Sequence, residues 1–265
     1  MAQYYEHINI TTNDINEAVN PFDLPLWTLP VVTIAKFLLE EIVSGLIIQI
    51  FTWVNFPRMP SRVPKPIGKG LEHLEMKDYW YLLINQGVEA VFLLNLMKYG
   101  LTLPMNLDEL NIMNSFVAVY VIFLLDDFFY YFLHRALHIP LIYPYIHKHH
   151  HRQSLPYRGY LDAANESPIE QVLGLGCVWI SVKIVTATFG LHALSCFIFF
   201  AIFAFFAMLN HTPFDFQLGF LGLNYTTRAH ETHHRLLRCN YAQNTMLWDY
   251  IFGTFEDYPQ RKGLE

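Results

Sequence analysis

The chain has 265 residues, enough for one domain of ordinary size. Apolar residues make up 53% of it and charged residues only 15%, whereas soluble proteins average roughly 25% charged residues. The net charge of −6 argues against nucleic acid as a partner, because phosphate binding requires clustered Lys and Arg. This composition favours a protein that resides in a membrane.

The cysteines and the N-terminus carry little information on function. The three cysteines, Cys177, Cys196 and Cys239, are odd in number and two lie in apolar runs, so reduced and buried thiols are expected rather than disulfides. The N-terminus is polar and acidic, without a basic region beside a short apolar stretch. A cleavable signal peptide is therefore not expected.

Several apolar runs reach the length of about 20 residues that a membrane-spanning helix needs. They cover residues 31–54, 79–99, 112–133 and 169–209. The last run is about two spans long and has Gly190 near its middle, which predicts a tight helical hairpin that leaves and re-enters on one side. The fold class is thus predicted to be all-α, a polytopic helical membrane protein.

The first apolar run is ambiguous because it contains Lys36, Glu40 and Glu41. Lys36 and Glu40 are four residues apart and can pair on one helix face, which lowers the free energy of placing them in a membrane. The run therefore either spans the membrane or lies at its interface.

The distribution of Lys and Arg predicts the orientation, since these residues are enriched in cytoplasmic segments. The first 30 residues and residues 100–111 contain neither. Most basic residues lie in the segments 56–78, 135–168 and 210–265. We therefore expect an external N-terminus and a cytoplasmic cap, which also holds most of the histidines.

Three groups of histidines stand out among the thirteen in the sequence. The first group is His134 and His138, the second is His147, His149, His150 and His151, and the third is His230, His233 and His234. A lone histidine, His211, lies between the second and third groups. Helix positions three and four apart share a face, so members of one group can face one ion. Imidazole suits iron, zinc and copper. Since one zinc ion takes about four ligands, so many histidines predict a two-metal centre.

The third apolar run also places an acid and a tyrosine on the face of its histidines. Asp127, Tyr131, His134 and His138 are spaced four, three and four, and so fall within roughly 60° of one another on a helix. An acid inside an apolar run usually marks function. Asp127 is expected to accept the second ring N–H of a ligand histidine, directly or through Tyr131.

The second group has two possible registers, His147, His150 and His151 or His147, His149 and His150. If the segment is helical, His149 lies about 200° around from His147 and points away from the metals. The first register is therefore predicted.

Each signal also has a structural reading. A single pair of histidines four apart is more often structural, and runs of histidine can be solvated surface. His7, His73 and His192 have no partners and are interpreted as non-ligands. The joint pattern of three groups with a buried acid favours the metal centre.

Between Asp127 and Asp257, about half of its length, the chain resembles the fatty acid hydroxylase and sterol desaturase superfamily. The resemblance rests on Asp127 with the following Tyr-Phe-Leu-His-Arg-x-x-His, on 143–151 as YPYIHKHHH, on Pro168-Ile169-Glu170 and on Asn210-His211. It continues with the third histidine group, with Asn240-Tyr241-Ala242 and with the WDYIFGT that begins at Trp248. This last stretch is most similar to methylsterol monooxygenases. One departure is Ser167, where many relatives have histidine.

The resemblance implies an N-terminal membrane segment, 1–111, and a catalytic domain, 112–265, that includes the hairpin at 169–209. It implies two iron ions, O2 as co-substrate, and oxidation of a C–H bond of a sterol or fatty chain in the endoplasmic reticulum membrane, or in the inner membrane of a bacterium. Residues carried over as iron ligands are His134, His138, His147, His150, His151, His211, His230, His233 and His234. Since the cytochrome b5 signature His-Pro-Gly-Gly is absent, a separate donor such as cytochrome b5 with its NADH-linked reductase is expected.

Three other functions remain open at this point. A sterol or lipid desaturase would use the same metal centre. A metal-binding transporter would place its ligands near the middle of the membrane, whereas these histidines lie mostly at helix ends. A catalytically silent scaffold descended from an oxygenase is the third, and the intact histidine groups argue against it.

Overall fold

The structure, a computed structural model, describes residues 17, 19–25, 27–60, 74–153 and 155–258. The predicted helical character is confirmed within these residues. The long helices are α1 (Thr28–Trp53), α2 (Met76–Gly100), α3 (Ala118–Leu137), α5 (Pro168–Phe189) and α6 (Ala193–Asn210). The short elements are α4 (Tyr160–Ala163), β1 (Gln217–Phe220), β2 (Leu223–Thr226), α7 (Thr227–Leu236) and α8 (Leu247–Phe252). Single turns of 3-10 helix lie at Leu107–Glu109 and His150–Arg152, and a π-helical turn, Met113–Val117, leads into α3.

Four helical stretches are long and apolar enough to cross a membrane, which confirms the predicted polytopic character. Within the part of the chain that the structure describes, they are Met76–Gly100, Met113–Leu137, Pro168–Phe189 and Ala193–Asn210. Helix α1 is not among them by composition. The predicted hairpin is also confirmed: α5 ends at Gly190, whose φ of 75° is accessible to glycine and strained for other residues, and α6 begins three residues later.

The core lies where α3, α5 and α6 meet. Ile122, Val182 and Phe199 are each 0% exposed, and the rings of Phe123 and Phe199 pack edge to face, with centroids 4.7 Å apart. The outer faces of these helices carry exposed apolar side chains such as Ile180 and Phe197. Apolar residues on both the inner and outer faces are what a helix in a bilayer requires.

The fold is mostly helical, as predicted, and residues 217–226 add a short two-stranded antiparallel hairpin. Its two-residue turn, Leu221 and Gly222, has φ values of 45° and 85°, as in the turns that match the twist of paired strands. Thr226 ends β2 and caps α7, its side chain accepting a hydrogen bond from the Arg228 amide. The hairpin therefore fixes the start of the helix that carries the third histidine group.

The three histidine groups converge at one end of the bundle. His138 caps the C-terminal end of α3, and His211 caps that of α6. His147 contacts Glu170 in the first turn of α5. We call this end of the bundle, where the three histidine groups lie, the histidine end.

Candidate metal centre

All nine predicted ligands come together at the histidine end, in two neighbouring sets. The five-histidine set is His134, His138, His147, His151 and His233. The four-histidine set is His150, His211, His230 and His234. Within each set, one ring nitrogen from every member lies within 4.8 Å of those of the others. Two ions, one in each set, fit this division.

The expectation that each sequence group faces a single ion is wrong for the second and third groups. His147 and His151 join one set while His150 joins the other, and His230 and His234 are separated from His233 in the same way. The cause is helical geometry. Residues four apart differ by about 40° in direction, whereas neighbouring positions differ by about 100°. Each pair four apart therefore stays together, and the remaining member of the group joins the other set.

Backbone carbonyls fix the orientation of four of the rings. The Nδ1 atoms of His134 and His233 lie 2.7 Å from the carbonyl oxygens of Tyr241 and Cys239. Those of His211 and His234 lie 2.8 and 3.0 Å from the carbonyl oxygens of Ala207 and Gln153. A carbonyl oxygen only accepts, so Nδ1 carries the proton and Nε2 presents a lone pair.

The Nε2 atoms then face one another at distances that hydrogen bonding cannot explain. His134 and His147 are 3.0 Å apart at Nε2, although both direct Nδ1 to an acceptor, the Tyr241 carbonyl and the Glu170 carboxylate. A neutral imidazole has one N–H, so two lone pairs face each other here. Nitrogens bound at about 2.1 Å to one cation, at right angles, stand about 3 Å apart. The residues present therefore fit a metal ion.

Other Nε2 atoms repeat this spacing in both sets. In the five-histidine set, the Nε2 atom of His151 lies 2.8 Å from that of His147 and 3.1 Å from that of His233. The Nε2 atoms of His233 and His138 are 3.2 Å apart. In the four-histidine set His230 lies 3.0 Å from His234 and 3.3 Å from His211. The two sets adjoin, because the ring centroids of His151 and His234 are 4.6 Å apart. The arrangement is that of two ligand shells side by side.

Burial keeps these rings uncharged and available as ligands. It lowers the pKa of His138 to about 4 and that of His233 to about 3. The pKa values of His147, His150, His151, His230 and His234 are also lowered, first by burial and then by the neighbouring histidines. At pH 7 the rings are therefore neutral, the form that binds metal.

His149 lies outside both sets, in agreement with the predicted register. Its Nε2 is 3.0 Å from the Asn165 side-chain oxygen and 3.0 Å from Asp78 Oδ1, and its ring packs against Tyr81. The segment is not a regular helix, since 141–149 forms successive turns. It keeps helix-like contacts nonetheless, because the amide of His147 bonds to the carbonyl of Tyr143.

The structure corrects the role expected for Asp127. Its carboxylate is fully buried and accepts hydrogen bonds from the backbone amides of Gln243, Asn244 and Thr245, at 3.2 and 2.9 Å for the first two. It therefore contacts the backbone of a loop rather than a histidine ring. The reason is tertiary: α3 presents Asp127 to the C-terminal segment about two turns before His134.

Tyr131 also acts on the C-terminal segment. Its hydroxyl lies 3.0 Å from Thr254 Oγ1, which donates to Asp249 Oδ1 at 2.7 Å. Asp249 in turn accepts the backbone amides of Tyr241 and Ala242 at 2.8 and 2.9 Å. Through these hydrogen bonds Tyr131 holds the segment whose carbonyls orient His134 and His233. Asp127 and Tyr131 thus position ligands at a distance.

Glu170, to which the sequence assigns no role, contacts His147 of the five-histidine set with its carboxylate. It accepts the Nδ1 proton of His147, and both side chains are buried, 2% and 0% exposed. A carboxylate in this position fixes the tautomer and direction of the ring and raises its basicity. The signal was present in the sequence, because Glu170 is an acid at the start of an apolar run, as Asp127 is within one.

The residues interpreted as non-ligands divide into one that is described and two that are not. His192 caps the N-terminus of α6, accepting the Leu194 amide, and its other nitrogen lies 3.0 Å from the Asn106 carbonyl. His7 and His73 lie outside the described residues. The three cysteines are free thiols, with Cys196 and Cys239 buried. Ser167 caps α5 and belongs to neither histidine set.

Fold and site together define a helical membrane protein with two adjoining histidine sets fit for metal. The fatty acid hydroxylase family model matches residues 119–254, which include all nine histidines. The chain belongs to the fatty acid hydroxylase family.

Several curated proteins are similar to the chain over this region. The C-4 methylsterol oxidase erg25 of Schizosaccharomyces pombe is 31% identical over 144 residues, 53% of this chain and 47% of that protein. The methylsterol monooxygenase erg25B of Aspergillus fumigatus is 33% identical over 138 residues, 51% and 46% of the two proteins. The very-long-chain aldehyde decarbonylase GL1-11 of Oryza sativa subsp. indica is 30% identical over 172 residues, 63% and 62%.

The matched region is only part of most of these proteins. The chain spans about half the length of the curated methylsterol oxidases it matches, 46% to 51%. No solved structure matches the chain.

Proposed function

We propose that the chain is an O2-dependent di-iron oxygenase that oxidises a C–H bond of a sterol or fatty chain within the membrane. The observation that carries this proposal is the pair of all-histidine sets, five and four members, at the end of a helical membrane bundle. A C–H bond in a hydrocarbon offers no handle for acid–base chemistry, so a redox metal has to supply the oxidising power. Family membership and the methylsterol oxidases among the relatives support the same reaction class.

The nine histidines are proposed as the iron ligands, with both irons held by neutral imidazole. When bound, the irons would supply activation of O2 and oxidation of the substrate carbon. The protein's part is to hold the ligands in place. Glu170 orients His147, and the carbonyls of Tyr241 and Cys239 orient His134 and His233. Most of the rings are buried. In the five-histidine set, His138 is partly exposed, whereas the other four members are buried.

The same proposal includes the cellular setting. We infer a multi-pass protein of the endoplasmic reticulum membrane whose histidine end faces the cytoplasm, because the exposed residues Arg135, Lys148, Arg152 and Arg238 lie at that end. Electrons would come from a separate donor such as cytochrome b5 and its NADH-linked reductase, since a histidine-only centre holds no reductant of its own.

A second candidate reaction is favoured by one finding. The match to the aldehyde decarbonylase GL1-11 covers 63% of this chain, more than the matches to the two methylsterol oxidases described above, at 53% and 51%. A very-long-chain aldehyde is therefore the alternative substrate. A desaturase that uses the same centre is a further alternative within the same chemistry.

Turnover under labelled oxygen separates these reactions. Purified protein in phospholipid nanodiscs would receive ferrous iron, reduced cytochrome b5, and either a 4-methylsterol or a very-long-chain aldehyde. We expect the sterol product to carry one atom of 18O from 18O2, and His147→Ala to form none. An alkene without the label would identify a desaturase. Conversion of the aldehyde to a product one carbon shorter would identify the decarbonylase.

Lipid profiling of cells in which the gene is deleted and then restored tests the substrate without purification. Accumulation of 4-methylsterols on deletion, reversed by the intact gene and not by the His147→Ala variant, is the expected result. An unchanged sterol profile together with altered fatty chains would reject the sterol as substrate.

A further inference from the structure

Helix α1 has an exposed apolar face along most of its length, although its charged residues set it apart from the four candidate spans. Val31, Ile34, Leu38, Ile42, Leu46 and Ile50 are 52% to 59% exposed. At about 1.5 Å per residue the stretch from Val31 to Ile50 is about 28 Å long, close to the roughly 30 Å of bilayer hydrocarbon. A patch of this length and width has the dimensions of a lipid-facing helix.

Lys36 and Glu40, two of the three charged residues of α1, are turned toward the bundle, and the third, Glu41, is partly buried. Lys36 Nζ lies 2.8 Å from Glu40 Oε2, 2.9 Å from Gln86 Oε1 and in contact with Glu89 of α2. The side chains of Lys36, Glu40 and Glu89 are only 12%, 23% and 17% exposed. Ionisable side chains within a membrane are tolerated when they face the interior and pair with one another. The outer face of α1 therefore remains apolar.

The rest of the inner face packs against the protein as a core helix does. Ser44 is 2% exposed and Ile48 8% exposed. Ser44 Oγ occupies the space that a Cβ at position 159 would need, and Gly159 has a φ of 66°. Glycine at 159 thus permits the close approach of α1 to α4.

The two ends of α1 lie at opposite ends of the bundle. Near the C-terminal end of α1, Phe51 packs edge to face with Phe214, and the two ring centroids are 5.2 Å apart. Phe214 is three residues after His211, so this end of α1 lies near the histidine end. Glu17, which precedes α1 in the chain, forms an ion pair with Lys98 at 2.9 Å. Lys98 is in the last turn of α2, at the end of the bundle far from the histidine end. A helix lying in the plane of the interface would have both ends at one level.

We propose that α1 is a fifth membrane-crossing helix, whose outer face contacts lipid acyl chains and whose Lys36 binds it to Glu89 of α2. Asp23, which precedes α1, then lies on the side of the membrane opposite the histidines. This inference concerns the bilayer and stands independently of the reaction catalysed.

A depth profile with nitroxide labels distinguishes a crossing helix from an interfacial one. Single cysteines replace Ile34, Leu38, Ile42 and Leu46, one at a time, in protein reconstituted into phosphatidylcholine vesicles with one-fifth phosphatidylglycerol. Oxygen and a water-soluble nickel chelate act as paramagnetic probes. We expect the ratio of oxygen to nickel accessibility to peak at Leu38 and Ile42 and to fall toward both ends.

Two matched sites calibrate the profile. Leu83 is 59% exposed in the candidate span α2 and is expected to resemble Ile42, whereas exposed Asp257 reports water. Protein without an introduced cysteine gives the background from the native thiols. An equal, shallow depth at all four α1 positions, or nickel accessibility equal to that of Asp257, would overturn the proposal.

Labelling from the two sides of sealed vesicles gives a second, independent readout. Cysteines at Asp23 and Asn55, both exposed and flanking α1, are treated with a membrane-impermeant maleimide before and after permeabilisation. The two sites are expected to react from opposite sides, with Asn55 matching Asp257. Reaction of Asp23 and Asn55 from the same side would reject a crossing helix. These outcomes do not depend on turnover, so they remain informative if the proposed function fails.

Discussion

The five-histidine set and the four-histidine set draw on the same segments of sequence but are held in place differently. In the five-histidine set, His147 is oriented by the Glu170 carboxylate, and His134 and His233 by carbonyls of the segment 239–241. In the four-histidine set, His211 bonds within its own helix to Ala207 and His234 to Gln153. The comparison teaches that a buried carboxylate orients a ring of the five-histidine set, whereas backbone carbonyls orient His211 and His234 in the four-histidine set.

The largest expected effect comes from removing a ligand of either set. His150→Ala leaves three histidines in its set and His151→Ala leaves four in the other. Each variant is expected to lose iron and at least about 100-fold of turnover, beyond the loss typical of residues that only orient a ligand. Iron per protein molecule and turnover of purified variants measure this.

His149→Ala is the matched control for both, since it removes an adjacent ring that contacts Asn165 and Asp78 instead. It is expected to keep most iron and activity. Loss of iron in the His149 variant, together with a tolerated His151→Ala, would contradict the division into two sets. All three proteins need to be recovered folded in the membrane for the comparison to count.

Removal of the carboxylate behind His147 affects one set only. Glu170→Ala leaves the His147 Nδ1 proton without its buried acceptor, so metal affinity of the five-histidine set is expected to fall about 10- to 100-fold. The four-histidine set is expected to keep its ion. Iron titration of metal-free protein shows this as one weakened and one unchanged binding step. Equal weakening of both steps would contradict the assignment of Glu170 to a single set.

Asp127→Asn is expected to weaken the hydrogen bonds that hold residues 243–245 against α3. The carboxylate accepts three backbone amides, and hydrogen bonds to charged groups contribute about 1.5–3 kcal/mol each. We expect the free energy of unfolding to fall by about 2 kcal/mol, since the amide side chain still accepts some of these bonds. Thermal unfolding in detergent measures it.

Asp126→Asn is the neighbouring control, because Asp126 Oδ1 has no hydrogen-bond partner in the described residues. It is expected to leave the unfolding temperature close to that of the parent. If Asp127→Asn abolished turnover with no loss of stability, Asp127 would have the direct role at the histidines that its position in the sequence first indicated.

The smallest effect is expected for Tyr241→Phe. The backbone carbonyl of Tyr241, rather than its hydroxyl, accepts the His134 proton, and phenylalanine keeps the ring that packs beside His134. Iron content is expected to stay unchanged and stability to remain within about 0.5 kcal/mol of the parent, because the substitution opens no cavity and leaves no charge unpaired. A marked loss of iron would show that the hydroxyl takes part in binding.

Local signals were enough to predict the spans and the nine histidines. Run length defines a membrane helix, and Gly190 marked the turn between α5 and α6. Spacings of four predict which histidines share a set, whereas those three apart separate. These properties depend on neighbours within one or two helical turns, and they are readable without the fold.

The remaining features depend on tertiary placement. Which histidines of different groups come together, such as His150 with His230 and His151 with His233, follows from how the second histidine group packs against α7. Glu170, rather than Asp127, contacts a histidine ring because the fold brings the first turn of α5 next to His147. Asp127 instead faces the backbone of residues 243–245. The β-hairpin is not predicted, although Gly222 follows Leu221 at its turn, because each strand has only four residues.

The central claim is that each histidine set holds one iron ion. The most direct measurement is metal analysis of protein purified in detergent under anaerobic conditions with ferrous iron supplied, normalised to the protein concentration from amino-acid analysis. The account predicts two irons per protein molecule, and one iron in either His147→Ala or His230→Ala. A reproducible single zinc per molecule, with no iron-dependent turnover, would contradict it.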